Sequence, residues 1–140
     1  PVISVPTTPE RLWLVLAALL APPLSAWALH RSAGTALAPD ALKVSAAHLR
    51  EAPAPVDAGA WRDGAIAARE AQEAPTAATR RSALLALGEA MTAAHAIHGA
   101  PAHELRRWWE SRLPSVDRRR RPGSRPMRGS TRSDKWGAGR

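Results

Sequence analysis

Polar and apolar positions are divided unevenly along this chain. Leu12 to Leu29 are 18 consecutive positions without a charge, bounded by Arg11 on one side and by His30 and Arg31 on the other. A helix of that length is about 27 Å long, close to the roughly 30 Å hydrocarbon core of a bilayer. Trp13 and Trp27 stand near its ends, where indoles settle at membrane–water boundaries. The pattern predicts one N-terminal transmembrane helix over residues 12–29. Thr7-Thr8-Pro9-Glu10 supplies its start signal, with a threonine cap, a proline in the first turn and a glutamate three residues after Thr7. Pro22-Pro23 removes two backbone donors, so the carbonyls of Ala18 and Leu19 lose their usual partners and a kink is expected there. In lipid such groups need a neighbouring helix, a hydroxyl such as Ser25, or water. The same run fits two other readings. One is a signal peptide with Ala26-Trp27-Ala28 as cleavage site, and the other is a buried core helix.

Beyond His30 the apolar positions return only at helical spacing. Ser32 to Pro39 reads as a linker, and Asp40 is placed to cap a helix from Ala41 to Ala52 with Leu42, Ala46 and Leu49 on one side. After the turn residues Pro53, Pro55 and Gly59, a second helix is predicted from Ala60 to Ala74, with Trp61, Ala65 and Ala68 in register. Pro75-Thr76 breaks it. Leu84, Leu87, Met91, Ala94 and His98 then mark a narrow seam on a helix from Ala77 to His98, which Gly99 and Pro101 are expected to end. A last helix runs from Ala102 to Leu113, carrying Leu105, Trp108, Trp109 and Leu113, and stops at Pro114. The fold class expected is therefore all-α in four parts. These are an N-terminal flank (1–11), the kinked transmembrane helix (12–29), an Ala-rich helical region (30–117) and an extended basic tail (118–140).

Composition changes this picture in one respect. The hydrophobic content is 45%, but 31 of those residues are alanine, and after His30 only 19 bulky apolar residues remain in 110 positions. Burying an alanine contributes little beside the roughly 1.5–3 kcal/mol of a Leu or Phe, against an ordering cost of about 1–2 kcal/mol per residue. No independent globular core is expected. The helices would gain their order on something larger.

Charge is as unevenly placed as hydrophobicity. Residues 1–117 hold 11 basic and 11 acidic residues, so the whole net charge of +8 lies in the last 23 residues. Arg118, Arg119, Arg120, Arg121 and Arg125 suit phosphate or carboxylate, and the candidates are anionic lipid (cardiolipin among them), acidic partner surfaces or RNA. Arg31, Lys43 and Arg50 follow the apolar run whereas Arg11 alone precedes it, which puts the C-terminal part on the cytoplasmic or matrix-like side. Trp108-Trp109, flanked by Arg106, Arg107 and Arg112, reads as a contact patch. Trp13, Trp27, Arg31, Trp108, Trp109 and the five tail arginines are thus the candidate lipid and partner contacts. His95, His98 and His103 have no metal-motif spacing, and no metal or cofactor is expected. The absence of cysteine excludes disulfides, thiolate sites and cysteine nucleophiles. No phosphate loop, zinc-protease motif or nucleophile elbow occurs.

The function these features point to is non-catalytic. The expectation is a single-span accessory subunit of a large membrane complex, of respiratory-chain or ATP-synthase type, in the mitochondrial inner membrane, with other subunits as partners. The first residue is Pro rather than Met, read here as a removed initiator or a trimmed presequence. The alternative is a ribosomal or other RNA-binding protein that uses the arginine tail.

Overall fold

A computed structural model describes residues 5–32 and 45–114, and they are helical without a strand among them. After a 3₁₀ turn at Pro9–Arg11 come α1 (Leu12–Leu20), α2 (Pro22–Ser32), α3 (Ala46–Arg50), α4 (Ala58–Glu73), α5 (Ala77–Ala94) and α6 (Gly99–Glu110). The all-α expectation holds for these residues. The proposed tail contacts Arg118 to Arg121 and Arg125 lie outside them.

The apolar run forms two helices rather than one kinked helix. No single helix among the described residues is long and apolar enough to cross a membrane. The pair Pro9–Leu20 and Pro22–Ser32 passes that test only together, bent by 55° at the break. Ala21 is the reason: a residue before proline is driven out of the helical region, and Ala21 sits at ψ 140°. Its N–H still reaches the Ala18 carbonyl at 3.2 Å, so that carbonyl is not orphaned as expected. The cap of the leading turn is Thr8 rather than Thr7, with Pro9 in the first turn.

Caps fix most of the later boundaries. Ser45 caps α3 by accepting from the His48 N–H, while the expected cap Asp40 lies outside the described residues. The Asp57 carboxylate accepts from Gly59 at 2.8 Å and Ala60 at 2.9 Å, so α4 begins two residues earlier than its apolar spacing implies. Thr76 and Thr79 form a reciprocal capping box at the start of α5. The end of α5 departs from expectation. The helix stops at Ala94, and Ala96 takes a left-handed φ of 55°. The Ala96 N–H reaches Ala93 at 2.8 Å and the Ile97 N–H reaches Thr92 at 3.2 Å, the paired bonds of a Schellman end. Gly99 and Pro101 belong instead to the first turn of α6, where a missing proline N–H leaves no helical bond unmade.

The expectation of no core is corrected by the packing. α4 and α5 form a hairpin, α1 lies on α4, and α6 packs on both α5 and α2. Their shared interior is Ala17, Ala21, Leu24, Ala65, Ala67, Ala68, Leu87, Met91, Ala94 and Trp109. Six of the ten are alanines, so backbones come close, and Leu24, Leu87, Met91 and Trp109 fill the space that remains. Two glycines are used for this approach. A Cβ on Gly64 would run into the Met91 side chain, and one on Gly88 would stand 2.8 Å from the Trp109 ring. Thr92 hides its hydroxyl in the same region by donating to the Gly88 carbonyl at 2.6 Å.

Candidate contact surface

Past its first turn α1 places its alanines inward and its leucines outward, while Trp13 and Leu14 in the first turn also pack inward. At about 100° per residue, Trp13, Leu14, Ala17, Ala18 and Ala21 share one side of α1, and Leu12, Val15, Leu16, Leu19 and Leu20 share the other. The first set faces the interior, with Ala17 and Ala21 fully buried and Trp13, Leu14 and Ala18 packed on the core. The second set faces outward: Leu12 is 47% exposed, Leu19 40% and Leu20 38%, with Val15 and Leu16 half-buried. The inward side is fixed by α4, where the Trp61 indole N–H donates to the Leu14 carbonyl at 2.8 Å. Pro22, Pro23 and Leu24, just past the break, are buried under this chain's own helices rather than left for a partner to cover.

The aromatic candidates separate into contact and core residues. Trp13 and Trp27 are half-buried against the interior. Trp27 carries the Arg31 guanidinium 5.8 Å from its ring, and Arg31 also pairs with Glu51. Trp109 is only 7% exposed and fills the space above Gly88, so it is structural. Trp108 is half-buried, and the Arg112 guanidinium lies 4.3 Å from its ring while donating to the Trp108 carbonyl at 3.3 Å. Arg112 is the residue that sequence reasoning left in the background. Its i,i+4 spacing from Trp108 is the signal that identifies it.

A cleft of about 220 Å³ opens beside this pair between α2 and α6, lined by Ser25, Leu29, Trp108, Trp109, Arg112 and Leu113. Leu29 forms part of its rim and is 40% exposed. Nothing in the sequence links Ser25 and Leu29 to α6, since the contact depends on the bend at Ala21.

The histidines go separate ways. The ring nitrogens of His95 face the carbonyls of Met91 (2.7 Å) and Pro53 (3.4 Å), and His103 faces Arg106 at 3.2 Å. His98 is the cap residue of α6 and makes no side-chain cap bond. Arg106 pairs with Glu89 at 3.4 Å. Among the described residues no group of three His, Asp or Glu side chains is arranged to hold a metal ion.

Comparisons with protein-family models, curated proteins and solved structures give no significant match to this chain. Its function has to be argued from the surface itself. That surface offers outward leucines and guanidinium–indole pairs, a combination suited to apolar contact beside anionic groups.

Proposed function

We propose that this chain is a non-catalytic accessory subunit of a large membrane complex. In this reading the bent helix pair lies in apolar surroundings, and the Ala-rich helices rest on neighbouring subunits. The observation that carries it is the orientation of α1. A chain that folds for water turns its leucines inward, because each fully buried one contributes about 1.5–3 kcal/mol and an alanine far less. In lipid that gain vanishes, and helices associate through their small residues while large ones face the acyl chains. Ala17 and Ala21 inward with Leu12, Leu19 and Leu20 outward follows the second rule, although Trp13 and Leu14 of the first turn pack inward on the core. The uncharged length of residues 12–29 and the Trp27–Arg31 pair at its far end support the same setting.

Assembly, stability or lipid sealing of the complex is the role such a subunit performs. Respiratory-chain and ATP-synthase complexes of the mitochondrial inner membrane are the first places to look for it. The test is extraction of the full chain from its native membrane. It should resist salt and alkaline washing, require detergent, and migrate in a high-mass particle on native gels. Release into the aqueous fraction as a free monomer overturns the proposal. Release together with RNA favours the alternative, in which the arginine tail binds nucleic acid with a steep salt dependence.

A further inference from the structure

We infer that the cleft between α2 and α6 binds an anionic phospholipid, its phosphate at Arg112 and an acyl segment against Leu29, Leu113 and Trp108. This deepens the membrane reading above and rests on it. The walls supply the apolar half of the match: Leu29, Leu113 and two indoles around about 220 Å³. The cationic half lies at the same end of α6. Arg112 is exposed, is steered by its stacking on Trp108, and spends one of its five guanidinium N–H groups on the Trp108 carbonyl. Arg81 donates to the Pro114 carbonyl at 3.3 Å, which brings a second guanidinium to the end of α6. Glu110 stands two positions before Arg112 in sequence, and Asp117 lies outside the described residues. A larger hollow of about 630 Å³ at the junction of α4 and α5 is rimmed by Glu70 and Glu73, whose charge repels the same headgroup.

The occupant follows from this pairing of chemistries. A free phosphate would leave the leucine and indole walls wet, and in a zwitterionic lipid the headgroup's own ammonium offsets the phosphate that Arg112 meets. An anionic phospholipid satisfies both at once, with the indoles at the depth where they sit best.

The experiment uses the full chain and vesicles of phosphatidylcholine with or without phosphatidylglycerol, read by co-sedimentation. Wild type should prefer the anionic vesicles. Arg112→Gln should lower that partition about fivefold, the effect of one basic residue near the surface, and Arg112→Lys should recover most of it. Leu29→Ser should lower partition as well, and its effect should survive in about 1 M salt, where the Debye length is near 3 Å and the charges of the tail are screened. Arg112 and Leu29 are both exposed, and helical circular dichroism confirms that the variants stay folded. The inference is overturned if Arg112→Gln and Leu29→Ser bind as wild type while changing Arg118 to Arg121 together to Gln abolishes binding, because the tail alone then meets the headgroups. Equal binding to neutral and anionic vesicles overturns it too. Either outcome leaves the extraction test of the membrane reading intact, and failure of extraction with lipid binding preserved removes only the subunit assignment.

Discussion

Ala96 holds a backbone conformation that suits glycine. A left-handed residue with a Cβ costs about 1–2 kcal/mol, while glycine would lose about 0.4–1 kcal/mol through the greater freedom of the unfolded chain. Ala96→Gly should therefore stabilise the chain by about 0.5–1 kcal/mol in urea unfolding, and an unchanged or lower midpoint would refute the assignment of the Schellman end. Gly88 presents the opposite case. Its replacement by alanine gains about 1 kcal/mol of helix propensity but drives a Cβ into the rigid Trp109 ring, an overpacking that costs about 1–3 kcal/mol. Gly88→Ala should destabilise by about 1 kcal/mol. Gly64→Ala should cost less, since Met91 is flexible where the indole is not. None of these three roles is legible in the sequence, where Ala96 is one alanine among 31. A left-handed alanine leaves no signal, and a glycine inside a helix names neither the partner nor the distance.

At the level of elements, legibility followed the caps. Pro75-Thr76 announced the start of α5 because proline and a threonine hydroxyl both act locally, on backbone donors within three residues. The α5–α6 junction was misplaced because Gly99 and Pro101 can end one helix or open the next, and only the bonds of Ala96 and Ile97 decide which. The bend in the N-terminal run was legible at Pro22-Pro23, but its consequence was not. The sequence does not say that α2 turns toward α6. The joint between α1 and α4 offers a direct test through the Trp61–Leu14 hydrogen bond. Trp61→Phe removes the donor, should cost about 1 kcal/mol, and should raise amide hydrogen exchange in α1 more than in α5. Uniform acceleration across both helices would mean that Trp61 serves the whole interior rather than this joint.

For the whole molecule, the count of bulky residues was the misleading guide. It assumed that an interior must be filled by large side chains, whereas Gly64, Gly88 and the buried alanines close the interior by letting helices approach. The sorting of alanine from leucine on α1 could have been read from a helical wheel of residues 12–21, but hydropathy alone hides it because both sides are apolar. That sorting yields a prediction. Changing Leu12, Leu19 and Leu20 together to Gln should alter stability in water by no more than about 0.5 kcal/mol per site, since exposed positions are tolerant. Under the proposed membrane setting it should also abolish the need for detergent. A large loss of stability would show that these leucines support the fold instead.

The outward leucines also bear on how much of this protein a cell can carry. In the proposed subunit role, copies made beyond the number of docking places expose a sticky row to chaperones and proteases, and such surfaces are triaged or aggregate. Its abundance should then follow the stoichiometry of whatever it sits on, with orphan copies turned over fastest.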